Sequence, residues 1–155
     1  MKLVFTSCMD AQRVADQPIW DHIREVEKPD ALALLGDQIY MDWGDIGEPD
    51  LAAAIAAGAM SPSRFARTMH ARYAAQWQVD TFRRLVCGLP DRDKPGRLIV
   101  CWDDHDFAWN NSLGQGPQEH PNAVPRQVRD ISRRLFEQFV RQLRTGAPSA
   151  DYPPL

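Results

Sequence analysis

Leu98-Ile99-Val100-Cys101-Trp102-Asp103-Asp104-His105-Asp106 is an apolar run that ends in three carboxylates and an imidazole. Like charges this close repel strongly unless a cation neutralises them. The end of a strand in an α/β sheet is also where ligands and catalytic groups collect. A polar turn whose aspartate caps the next segment accounts for one acid. Three acids and a histidine, followed by Asn110-Asn111, make the stretch a metal-site candidate.

Two other segments share the pattern. Ala31-Leu32-Ala33-Leu34-Leu35 is a continuous apolar run, which fits a strand covered on both faces, and it closes at Gly36 before Asp37, Tyr40 and Asp42. Gly36 permits a sharp turn and a close backbone approach. Lys2-Leu3-Val4-Phe5 opens the chain and leads into Thr6-Ser7-Cys8-Met9-Asp10. Between these runs, Pro18 to Val26 reads as a helix with Ile19, Ile23 and Val26 on one face. Strand, helix and strand within about thirty residues make a βαβ unit, so the first two strands are expected to be parallel neighbours. Three strands would then each end in residues able to bind a metal.

The 155 residues suit a single domain spanning 1–155, with 44% hydrophobic and 25% charged residues and a net charge of −3. This mildly acidic balance offers no footprint for nucleic acid, and no apolar stretch is long enough to span a bilayer. Met1-Lys2 runs straight into a strand with no apolar signal region, and three cysteines make a poor disulfide framework, which together point to the cytoplasm. Cys87 and Cys101, in apolar surroundings, read as core packing.

Helices are expected elsewhere. Asp45 to Pro49 reads as a turn-rich connection, followed by a small alanine-rich helix from Asp50 to Ala59. Ser61-Pro62-Ser63 starts a longer helix in which Phe65, Met69, Tyr73 and Trp77 recur every four residues, a core face, with His70 at its border. Asp80 reads as the N-cap of Thr81 to Val86, with Phe82, Leu85 and Val86 inward. Pro125 opens the last helix, with Val128, Ile131, Leu135, Phe139 and Leu143 on one stripe and a stop at Gly146 and Pro148. Its arginines (126, 129, 133, 134, 141 and 144) read as a solvated face, although one near a site could bind phosphate. His22 reads as a solvated helix residue and His120 as an uninvolved residue of the Ser112 to Pro125 loop. The tail from Asp151 to Leu155 reads as a linker.

Thr6-Ser7-Cys8, Gly36-Asp37-Gln38-Ile39-Tyr40 and Trp102-Asp103-Asp104-His105-Asp106-Phe107 resemble the motifs of the alkaline phosphatase D (PhoD-like) branch of the calcineurin-like metallophosphoesterases. The resemblance runs from about Lys2 to the final helix. It implies an α/β fold, part of a metallophosphoesterase-like αββα sandwich with a βαβ start, mainly parallel strands and long helices. It implies metal-dependent hydrolysis of a phosphoester, a mono- or diester, at a dinuclear centre. Cys8, Asp37 and Tyr40 would hold Fe(III), and Asp37 would bridge to a divalent ion (Ca, Zn, Mn or Mg) also held by Asp104. Asn110, or its neighbour Asn111, would be a further ligand or a phosphate contact. His105 would contact substrate oxygen and protonate the leaving group, with Asp106 orienting its imidazole. Two cations about 4 Å apart create a nucleophile near neutral pH and stabilise a centre that already carries negative charge.

Nothing after Asn111 resembles the superfamily's later histidine motifs, and the chain stops before a second sheet could form. The expectation is therefore an N-terminal fragment of such an enzyme, its second sheet missing or incomplete, with exposed apolar surface that favours association. The alternative is a remnant that binds a metal or a partner without turnover. A nucleotide-binding domain is disfavoured, because neither Gly-x-Gly-x-x-Gly nor a Walker-type loop follows any strand.

Overall fold

Parallel strands ordered by sequence set the frame of the molecule. The computed structural model describes residues 1–43, 50–114 and 120–146. Strands β1 (Leu3–Thr6), β2 (Ala31–Leu35) and β3 (Leu98–Cys101) form one sheet in the order β1-β2-β3, parallel throughout. The helices are α1 (Ile19–His22), α2 (Leu51–Ala56), α3 (Pro62–Gln78), α4 (Asp80–Gly88), α5 (Asp104–Phe107) and α6 (Arg126–Thr145). The mixed α/β class, the long helices and the parallel pairing of the first two strands agree with the sequence reading. The Asp45 to Pro49 connection, Pro148, the tail from Asp151 and part of the Ser112 to Pro125 loop lie outside the described residues.

The core forms on one face of the sheet. Leu32, Leu34 and Leu98 point into a cluster with Phe65 and Met69 of α3, Phe82 of α4 and Leu135 and Phe139 of α6. Tyr73 stacks on Phe139 with ring centroids 4.5 Å apart, which joins α3 to α6. Trp20 meets Phe82 edge-on at 5.3 Å, which joins α1 to α4. The stripes read on α3 and α6 are the buried ones, with Trp77 half-buried at the end of the first. His22 is exposed and His70 half-buried, as their places in the pattern suggested.

The other face of the sheet is open among the described residues. The register places Leu3 beside Ala31, Phe5 beside Ala33, and Ala33 beside Ile99. Leu3, Phe5 and Ile99 are 47%, 69% and 39% exposed, so the two central alanines are shielded largely because they are small. Leu35, on the same face, is exposed too, so β2 is covered on both sides only in its first four residues.

Three local expectations need correction. The segment after Pro18 passes from α1 into a π-helical turn, Ile23–Glu27, closed by Lys28 N–H on Ile23 O at 2.9 Å. Trp20 and Ile23, three apart, form the buried face while Ile19 is exposed, and the wider turn carries Val26 off that face into solvent. Asp80 does not cap: a single residue, Val79, separates α3 from α4, so Asp80 is already helical and pairs with Arg83 instead. Cys87 and Cys101 are exposed, Cys101 because it shares the open sheet face with Ile99.

Replacement on the two faces should therefore differ sharply. Leu34→Ala is expected to cost about 2–5 kcal/mol, whereas Phe5→Gln should change stability by no more than about 0.5 kcal/mol. Chemical denaturation of both variants checks this; equal losses would mean the open face is covered.

Candidate metal centre

A parallel sheet delivers all its strand ends to one edge, so the loops after β1, β2 and β3 meet there. Backbone hydrogen bonds lock them together. Cys8 N–H donates to Gly36 O at 3.2 Å and Met9 N–H to Asp37 O at 2.7 Å. Gln38, fully buried, donates its backbone N–H to Asp106 Oδ1 at 2.9 Å and its side-chain amide to Cys101 O at 3.2 Å. Gly36 sits at φ +104°, and a Cβ there would lie 2.6 Å from Asp103 Cβ. The close approach that the sequence suggested at Gly36 is thus to the loop after β3.

The three acids of the Asp-Asp-His-Asp run go separate ways. Asp103 is the N-cap of α5 and accepts from Asp104 N–H at 2.9 Å. Asp106 turns inward and accepts from the N–H groups of Gln38 and Asp103. Burial pushes its carboxyl up to about 8, against the pull of those donors. Only Asp104 faces Asp37 and His105, and ligand atoms from these three residues lie within 4.8 Å of one another.

Asp37 is the meeting point. Its Oδ2 accepts from the Cys8 thiol at 3.5 Å and from the Tyr40 hydroxyl at 3.4 Å. Its Oδ1 is buried without a hydrogen-bond partner. Burial pushes the Asp37 carboxyl up; the charges of Asp103 and Asp104 add to this, while His105 and the Cys8 thiol oppose it. The Tyr40 phenol is held well above its ordinary range by burial, then by its contacts with Cys8 and Asp37. Cys8 and Asp37 both adopt left-handed backbone angles, φ 61° and 54°, which non-glycine residues seldom do and which cluster at functional sites.

His105 is oriented by Asp42, not by Asp106. Its Nδ1 lies 2.8 Å from Asp42 Oδ1, and its ring lies 4.5 Å from that of Tyr40. Burial opposes the imidazolium, but the hydrogen bond and charge of Asp42, with the charges of Asp104 and Asp37, outweigh it and raise the histidine's pKa. Asp42 is lowered in turn: its burial is outweighed by His105 and by the Asn110 N–H, which donates to Oδ2 at 3.0 Å. Asn110 is exposed, and the hydrogen bond that ties it here comes from its backbone; Asn111 N–H likewise reaches Asp104. His120, also exposed, accepts from Asn122 N–H within its own turn.

Cys8, Asp37, Tyr40, Asp104 and His105 are therefore brought together, Asn110 borders them through its main chain, and Asp106 braces the loops from behind. Asp42 is the residue whose role the sequence reading missed. Its place in the loop after β2 was visible, but nothing in its spacing pointed to a histidine 63 positions on. No family model matches this chain, and neither do any curated proteins or solved structures.

Two outcomes follow. Gly36→Ala combines positive-φ strain with a clash against Asp103 and should cost about 1–3 kcal/mol in denaturant unfolding; an unchanged midpoint would show that the loops are not in contact. Asp42→Asn removes the main influences that raise His105 and leaves burial opposed only by the charges of Asp104 and Asp37. The His105 titration, followed by NMR in metal-free protein, should shift to lower pH; an unmoved curve would contradict the pairing.

Proposed function

We propose that this cluster is the metal centre of a phosphoester hydrolase of the alkaline phosphatase D-like kind. The carrying observation is Asp37, a carboxylate supplied by the central strand, flanked by a thiol and a phenol, with one buried oxygen left unpartnered. An unsatisfied buried carboxylate oxygen beside a second carboxylate and an imidazole is costly unless a cation takes it up. The donor types fit: Asp37 and Asp104 supply carboxylates, Cys8 with Tyr40 adds anionic sulfur and oxygen suited to Fe(III), and the His105 ring stands beside them. A divalent ion such as Ca, Zn, Mn or Mg beside it would complete the dinuclear arrangement.

When bound, such ions supply Lewis acidity toward phosphoryl oxygen. The chain's own residues do the rest. Asp42 fixes the His105 ring through Nδ1, which leaves Nε2 to hold a proton for the leaving oxygen. Asp106 and Gln38 keep the loops in register, and Gly36 lets them close. Cys8 and Tyr40 both carry their hydrogens toward Asp37, so acting as ligands requires them to lose protons. Metal uptake is then proton-releasing and tightens as pH rises.

The open sheet face favours the second reading, a remnant that binds a metal or a partner without turnover, because parallel sheets are ordinarily covered on both sides. Association through that face belongs to this reading. Metal analysis with hydrolysis of 4-nitrophenyl phosphate, with and without Asp37→Asn, separates the two. Hydrolysis that falls by more than the roughly 10–100-fold typical of outer-shell metal partners, together with lost metal, supports the hydrolase. Metal without turnover in the unaltered chain supports the remnant; finding neither metal nor turnover refutes the hydrolase and the metal-binding remnant, leaving only association through the open face.

A further inference from the structure

A cleft of about 770 Å³ opens beside the cluster, and two of its walls are Cys8 and Tyr40 themselves. Polar groups (Thr6, Ser7, Asp10, Arg13 and Gln17) share its lining with a larger apolar surface. Val14, Ile19 and Trp43 are 48%, 54% and 46% exposed and all stand on this one cleft, an uncommon gathering of exposed apolar side chains. The walls are also held in place. The Arg13 guanidinium lies 4.3 Å from the centre of the Trp43 ring, and Arg72 bonds the Trp43 carbonyl. Behind the opposite wall, buried Gln17 exchanges hydrogen bonds of 3.1 and 3.0 Å with buried Gln76 and accepts from the Trp20 indole. Pre-formed, mostly apolar clefts of this size with a few polar groups at one end are what small-molecule sites look like.

We propose that this cleft seats an aromatic group on the organic side of the substrate ester. The inference rests on reading the adjoining cluster as a phosphoester hydrolase and adds its substrate class. Cys8 and Tyr40 border both the cleft and Asp37, so an ester whose phosphoryl group lies at Asp37 would extend its other half between Trp43, Ile19 and Val14. Tyr40 and Trp43 both line the cleft, their rings 6.4 Å apart and inclined at 60°, so a planar guest between them can add offset or edge contacts of the kind aromatic pairs favour. An aliphatic chain would gain burial without that geometry.

The test compares 2-phenylethyl, hexyl and ethyl phosphate, whose leaving alcohols have similar acidity, so that differences in kcat/KM report binding of the organic group. The expected order is phenylethyl first, by about tenfold or more over ethyl, with hexyl clearly below phenylethyl. Ile19→Asn, at an exposed position that leaves the core intact, should collapse the phenylethyl-to-ethyl ratio, while Phe5→Gln on the open sheet face should leave it unchanged. Equal rates for phenylethyl and ethyl esters would overturn the cleft's role, and hexyl matching phenylethyl would overturn its aromatic preference. In parallel, 2-naphthol is titrated by NMR. Shifts at Val14, Ile19 and Trp43 that weaken in Ile19→Asn support the cleft even if no ester is hydrolysed, an outcome that would refute only the hydrolase reading. Shifts confined to Phe5 and Ile99 would refute the cleft.

Discussion

One carboxylate has to be reconciled with its surroundings before anything else in the structure makes sense. Asp37 sits at the end of the central strand, where three loops converge, and burial and neighbouring aspartates push its carboxyl toward the protonated form. It meets this by accepting hydrogens from Cys8 and Tyr40 on one oxygen, yet the other oxygen stays buried and unpaired. Folding alone gains nothing from such an arrangement, since an apolar residue would remove the penalty. It makes sense as a site kept for a positive ligand. The strained backbone at Cys8 and Asp37 points the same way, because the surrounding structure holds both residues in angles they would otherwise avoid.

That convergence depends on how firmly the loops are tied. Asp106 is the main brace. Fully buried, it receives N–H groups from the loop after β2 and from the start of α5, and so sets the distance between two of the three strand ends. Gly36 allows the contact by having no side chain where Asp103 comes closest. From the other side, Tyr73 of α3 donates to the Asp106 carbonyl and stacks on Phe139, which couples the site to the helical core. The cleft shares Cys8 and Tyr40 with the candidate metal cluster, so the proposed chemistry and specificity would be built from the same two loops.

Much of this was legible in the chain because it follows from local rules. Short apolar runs, two of them closed by Gly or acid and the first by Thr6-Ser7-Cys8, marked the three strands, and four-residue stripes marked the buried faces of α3 and α6. The presence of Cys8, Asp37, Tyr40, Asp104 and His105 at strand ends followed from the same reading. What could not be read was pairing at a distance. Asp42 and Asp106 are both acids near a histidine, and only the path of the β2 loop decides that Asp42 reaches the ring while Asp106 turns to Gln38. The π-helical turn from Ile23 was equally hidden, since a wider turn leaves no mark on the apolar pattern yet carries Val26 off the buried face. Cys101 misled for a related reason. Apolar neighbours in sequence say nothing about which sheet face lacks a cover.

The account turns on a cation lying against the unpartnered oxygen of Asp37. Crystals soaked with Mn(II) and measured at the manganese absorption edge test this without reference to turnover. An anomalous peak is predicted among Asp37, Asp104 and His105, about 2.0–2.3 Å from Asp37 Oδ1, as hard-cation ligation demands. A map with manganese bound elsewhere on the surface, and none at Asp37, would contradict it.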